Sequence, residues 1–150
     1  MAELTIDTLL ERARIESVLN RYACALDARD WSALGDVFTP DATAHFQGIG
    51  HYQGRDAIIA VIQSALSHCG STQHLLGNVR IEVDGDRAQA KCYLQAVHAG
   101  LGEFAGATLI IWGEYRDRLV RLPEGWRIAH RELVAFHAQG DIGIKLVRPE

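Results

Sequence analysis

Three side chains in this sequence are of types that exchange protons and stand where folding would bury them: Tyr22, Asp27 and His98. His98 ends a row of small apolar residues, Ala88, Ala90, Cys92, Leu94 and Ala96, spaced as one face of a β-strand requires. Small side chains on an inner sheet face leave space, and an imidazole at the end of the row projects into it. A desolvated titratable group in an apolar cleft is a common mark of a site. A core histidine bonded to a backbone carbonyl, or one at an exposed strand end, would give the same pattern. Asp27 falls at the C-terminal end of a helical stretch, where the helix dipole disfavours a carboxylate and so suits it to general acid-base work. The plain alternative is a solvated helix-end aspartate like Asp30. Tyr22 shares the apolar helix face with Leu19 and Leu26, so its hydroxyl needs either a backbone partner or a substrate oxygen.

The elements that must position these groups follow from hydrophobic period. Leu9, Ile15, Val18, Leu19, Tyr22, Ala25 and Leu26 recur at helical steps and predict a helix from about Thr8 to Ala28, capped by Asp7. Asp30 can cap a short second helix, Trp31 to Phe38, stopped by Pro40. Ala42 to Gln47 reads as a short strand, and Gly48, Gly50 and Gly54 mark a loop with His51 and Tyr52 near the surface. A third helix runs from about Arg55 to His68.

From Gly70 onward the period becomes alternating. Val79, Ile81 and Val83 form one strand, Asp84-Gly85-Asp86 a tight turn, and the strand ending in His98 returns. After a glycine-containing loop, Ala99 to Gly106, a second hairpin turns at Pro123-Glu124-Gly125. Leu109, Ile111, Gly113 and Tyr115 alternate on its first strand; Trp126, Ile128, Val134 and Phe136 share a face of the second. His130 is in register with Trp126 and Ile128, as a core or pocket residue. The tail from Gly140 to Glu150 is weakly patterned. Three helices with one early strand, then a four-strand meander, predict an α+β fold with helices covering one face of a curved antiparallel sheet.

The bulk numbers exclude several classes. With 150 residues, 48% hydrophobic and 23% charged, the chain fits one globular domain, residues 1–150. A net charge of -4 with mixed signs offers no basic face for nucleic acid. No apolar run is long enough for a membrane span, and Met1 to Ile6 lacks the features of a signal peptide, so the expected compartment is the cytoplasm. Cys24, Cys69 and Cys92 are odd in number and widely spaced, and read as packing residues. His45, His51 and His68 lack a two-ligand spacing on one element, and no HExxH, GxSxG, GxGxxG or Walker loop occurs. If the chain is an enzyme, chemistry without metal or cofactor is what remains.

His74 is not singled out by patterning. Alternation counted back from Val79 puts it on the polar face, and only a bulge near Gly77-Asn78 would turn it inward. Resemblance brings it forward. The stretch from Tyr22 through Asp27, Asp30-Trp31 and Leu34 to Phe38-Thr-Pro-Asp41-Ala42 resembles the SnoaL-like branch of the nuclear transport factor 2-like superfamily. Thr72-Gln73-His74 with Asn78, and Gly125-Trp126-Arg127-Ile128 with Arg131, are similar to it too. Within that branch the chain looks most like scytalone dehydratase and the bile-acid 7α-dehydratases. The resemblance implies a cone-like sheet wrapped by three N-terminal helices around an internal pocket. It implies catalytic roles for Tyr22, Asp27, His74 and His98, and a pocket wall that includes Leu26, Phe46, Leu94, Ala96, Trp112 and His130. Strand alternation, however, sets Trp112 beside Tyr93 on the outer face, which in this superfamily often pairs with another subunit as a dimer or trimer. Scytalone dehydratase has tyrosines where this chain has Leu26 and, near the early strand, Phe46, so its substrate does not carry over.

These readings together point to a small lyase of dehydratase type acting on a hydrophobic cyclic or aromatic compound. His74, oriented by Asp27, would take a proton, with Tyr22 or His98 as donor. Isomerisation or a polyketide-cyclase-like reaction would begin with the same abstraction. A non-catalytic alternative is a module like the small subunit of a ring-hydroxylating dioxygenase, or a plain ligand-binding protein.

Overall fold

A computed structural model describes residues 3–144 of the chain. The first helical period forms α1 (Ile6–Ala28), which starts earlier than expected because Thr5, not Asp7, caps it. Thr5 Oγ1 accepts the Thr8 N–H at 3.2 Å while Thr8 Oγ1 accepts the Thr5 N–H at 2.8 Å. The face carrying Ile15, Val18, Leu19, Tyr22 and Leu26 is buried against the sheet.

The expected second helix contracts to a 3-10 turn, Ser32–Asp36, so the described residues form two α-helices rather than three. Phe38 instead opens strand β1 (Phe38–Phe46), where it pairs with Ile128. A β-branched and aromatic stretch gains more from a sheet partner than from another helical turn. The strand tolerates Pro40 because the ladder is irregular between Phe38 and Thr43, where no backbone donor is needed. The expected Gly48–Gly54 loop carries a short edge strand, β2 (Gly50–Gln53), with His51 exposed and stacked on His45. Helix α2 (Arg55–Leu66) follows and packs on β1, β2 and the next strand.

The meander comprises β3 (Cys69–Asp84), β4 (Arg87–Gly100), β5 (Thr108–Leu122) and β6 (Gly125–Gln139). All six strands form one sheet in the order β2-β1-β6-β5-β4-β3, antiparallel except for the β1–β6 pair. Helix α1 packs on β3 and β6. Among the described residues no helix is long and apolar enough to cross a membrane. Cys69 and Cys92 are buried as expected, and burial pushes the Cys92 thiol up to about 11; Cys24, read as a packing residue, is exposed.

Two bulges decide which residues face the interior. Between Gly77 and Arg80 the β3 register shifts, with Asn78 in the left-handed region at φ 49°. The parity of the strand changes there, so His74 points inward. On β6, Leu119 pairs with Ile128 but Arg118 pairs with His130, leaving Ala129 unpaired. The assignment of His130 to the inner face is therefore overturned. His130 turns outward, where its Nδ1 lies 2.7 Å from Thr43 Oγ1, and Arg131 takes the inner place. Phe136, expected on the same face as Trp126, stands exposed at a further irregularity opposite Trp112 and Gly113.

Arg131 is fully buried, with Nε and Nη2 donating to the two oxygens of Asp117 at 2.8 and 2.7 Å. Its guanidinium lies 4.1 Å from the Tyr22 ring centre and 4.0 Å from that of Tyr115. The room left by Ala90 and Cys92 on β4 is thus taken by their register partners, Asp117 and Tyr115, and by this cation. Removing one partner of a buried pair strands the other charge. Asp117→Ala should cost about 3–5 kcal/mol in urea denaturation, and Asp117→Leu combined with Arg131→Met should recover most of it.

Candidate active site

At the C-terminal end of α1 the carboxylate of Asp27 meets the inward face of β3. Asp27 Oδ2 accepts the backbone N–H of His74 at 2.9 Å. Asp27 Oδ1 accepts the Thr72 hydroxyl at 2.9 Å and stands 2.7 Å from His74 Nδ1. A carboxylate can only accept, so Nδ1 carries the proton and Nε2 is left with a bare lone pair. The His74 side chain is only 5% exposed. Burial pushes its pKa below the ordinary 6.5, against the opposing pull of Asp27, so the contact joins a neutral imidazole to a carboxylate.

His98 lies across the ladder from Thr72, and its ring meets that of His74 edge to face at 5.5 Å. Its Nδ1 donates to the Leu109 carbonyl at 3.2 Å, which again leaves Nε2 bare. Burial, and then the neighbouring His74, push its pKa down. Two imidazoles thus offer acceptors to the same space.

Donors come from phenols. Tyr22 and Tyr115 pack edge to face at 5.6 Å. Burial raises the pKa of both; for Tyr22 the cation of Arg131 is the chief opposing influence. Each therefore keeps its proton at neutral pH.

Tyr22, His74, His98 and Tyr115 line one cavity of about 150 Å³, with Asp27 behind His74 and outside the lining. Leu26, Phe46, Leu94 and Ala96 line it; Ile111, Leu133 and Ile144 complete an apolar wall. No lysine or arginine is among the described lining residues. Trp112 is not part of the wall. It stacks on His137 at 5.3 Å on the outer face, as alternation required. His130 is absent as well, for the reason given by the Ala129 bulge. Among the described residues no three His, Cys, Asp or Glu side chains converge as metal ligands.

Sequence patterning did not single out Thr72, Arg131 or Arg29. Thr72 follows the same parity as His74 and was hidden by the same bulge. Strict alternation from Ile128 puts Arg131 on the outer face, and only the unpaired Ala129 turns it inward. Arg29 follows the helix end and resembles any charged cap, yet its backbone takes the left-handed region at φ 58° and its guanidinium turns back toward β3.

Residues 7–132 match the family model described as a SnoaL-like domain, and the chain belongs to that family, within the nuclear transport factor 2-like superfamily. An uncharacterized protein of Mycobacterium tuberculosis is 34% identical over 134 residues, covering 85% of this chain and 87% of its own. Among solved structures, a hexachlorocyclohexane dehydrochlorinase from Novosphingobium barchaimii shares the fold at TM-score 0.80 and 20% identity, covering 96% of this chain and 99% of its own. A provisionally assigned scytalone dehydratase from Novosphingobium aromaticivorans does so at TM-score 0.83 and 23% identity, covering 98% of this chain and all (100%) of its own.

The depressed histidines have a thermodynamic signature. Their folded pKa values lie below the ordinary 6.5 to which an unfolded chain returns, so the unfolded state binds protons first as pH falls. Their contribution is complete above about pH 6.5 and is lost as pH drops below it. Urea midpoints should therefore decline from neutral to mildly acidic pH. A His74→Gln/His98→Gln variant should show a shallower decline over the same window.

Proposed function

We propose that this SnoaL-like chain is a lyase that removes a proton from carbon with His74 and expels a leaving group from the neighbouring carbon of a small uncharged ring. The observation that carries the reading is the buried Asp27–His74 pair, whose bare Nε2 belongs to a residue lining an apolar cavity. In the step, Nε2 takes the proton and the C–H electron pair becomes the new double bond. The bond to the leaving group breaks with its pair. A halide can leave as the anion. A hydroxyl must leave as water, and Tyr22, held protonated by burial, can supply that proton; His74 then returns its own through solvent.

Cavity size and lining support the substrate class. A space of about 150 Å³ lined by Leu, Ile and Phe suits a compact apolar ring. Among the described lining residues none is a lysine or arginine, which favours an uncharged substrate over a carboxylate or phosphate ester. The hexachlorocyclohexane dehydrochlorinases, which share this fold, are named for loss of HCl from one such ring. The bare Nε2 of His98 favours one further use of the site, isomerisation, in which a second base shuttles the proton between carbons.

The outer face of the sheet presents Tyr93 and Phe136, 45% and 58% exposed with rings 6.3 Å apart, and we propose it as the surface through which the chain self-associates. Light scattering behind size exclusion should return a dimer or trimer; a monomer at all concentrations rejects that assignment.

For the chemistry, single-ring halides and alcohols should be screened for elimination products. With a substrate in hand, His74→Ala and Asp27→Asn should each lower kcat/KM by about 10²- to 10⁴-fold with the fold retained by circular dichroism. Unchanged turnover in both variants would sink the assignment.

A further inference from the structure

Arg29 is the one described non-glycine residue besides Asn78 with a left-handed backbone, at φ 58° and ψ 29°. It closes α1: its own N–H reaches the carbonyls of Ala25 and Leu26, and the Asp30 N–H bonds to Ala25 at 2.9 Å. Glycine is the residue this position ordinarily favours, because an L side chain is unfavourable there. Helix termination alone therefore gives no reason for an arginine.

The side chain supplies one. Arg29 Nη1 donates to the Leu26 carbonyl at 2.7 Å and to Thr72 Oγ1 at 2.8 Å, and Nη2 donates to the Gly70 carbonyl at 2.5 Å. Since Thr72 Oγ1 receives a proton from Arg29, its own hydroxyl proton is directed elsewhere, and the acceptor in reach is Asp27 Oδ1 at 2.9 Å. A single chain of donation thus runs from guanidinium to hydroxyl to carboxylate, and the same carboxylate oxygen receives His74 Nδ1–H. The left-handed backbone is what aims the guanidinium back across the end of α1 onto β3.

We propose that Arg29 is a positioning residue for the Asp27–His74 pair, acting through Thr72 to hold the carboxylate where it selects the imidazole tautomer. The bearing on catalysis rests on the proposed function, but the coupling itself does not. His74 is faced by Asp27 and Arg29 from the end of α1, by the His98 ring from β4 and by the cation of Arg131 from β6. Of these, Asp27 alone favours its charged form, while Arg29 works against it directly.

The test uses the full-length protein without ligand and reads the His74 imidazole by nitrogen-edited NMR. Arg29→Gly gives the backbone the residue its conformation prefers, so thermal stability should hold. The His74 Nδ1–H should nevertheless exchange with water at least about tenfold faster, and the His74 titration should move to higher pH. Thr72→Val, which leaves the Arg29 contacts to Leu26 and Gly70 in place, should also speed the exchange, and it serves if Arg29→Gly does not fold. Arg29→Lys should recover part of the titration shift but not the exchange protection, because an ammonium cannot span three acceptors as a planar fork does. If exchange and titration are unchanged in both Arg29→Gly and Thr72→Val, Arg29 is a helix cap and no more. Once a substrate is known, Arg29→Gly should move the acidic limb of the kcat/KM profile to higher pH. Should Asp27→Asn leave turnover intact while Arg29→Gly still alters His74 by NMR, the base assignment fails and the coupling stands.

Discussion

The carboxylate of Asp27 binds His74 twice, once through the backbone N–H and once through the ring. Tying one side chain to both the main chain and the imidazole of another strand removes nearly all freedom from that ring. The end of α1, the register of β3 and the tautomer of His74 are thereby set by one group. A carboxylate at the negative end of a helix dipole is unfavourable in isolation. Here three donors converge on it, from Thr72 and twice from His74, and they replace the water it loses.

Around that anchor the interior divides into two polar centres of different character. Asp117 and Arg131 form a closed ion pair with no polar group to spare toward the cavity, except that Arg131 Nη1 has no partner among the described residues. The cation lies between the faces of Tyr22 and Tyr115 and restrains both rings. The Asp27–His74 centre is the reverse: its bonded atoms all point at protein, and the free nitrogen is the one left for chemistry. Burial acts on both histidines in the same direction, so the cavity holds acceptors from imidazole and donors from phenol.

Periodicity made part of this legible. Helical spacing placed Tyr22 and Asp27 correctly on α1, and strand alternation placed His98, because both elements run without interruption through those residues. His74 and Arg131 were illegible by parity, since each lies beyond a bulge that inverts the strand face. For β3 the signal existed, in Gly77-Asn78, two residue types that tolerate a left-handed backbone. For β6 there was none, as Ala129 carries no mark of a bulge. The same inversion turns His130 outward and Arg131 inward, against strict alternation. The second helix failed for another reason: Phe38 is recruited by Ile128, a partner far away in sequence that local spacing cannot reveal.

The parallel pairing of β1 with β6 brings a consequence for how the chain is made. These strands come from opposite halves of the sequence, and contacts so distant are closed late and slowly in folding. During synthesis the helix carrying Tyr22 and Asp27 leaves the ribosome long before the strand that supplies Arg131. Until β6 arrives, β1 has only the short β2 beside it and exposes an unpaired edge over Phe38–Phe46. The nascent chain is thus most open to misassembly in the interval between its first strand and its last, and the cavity cannot close before that interval ends.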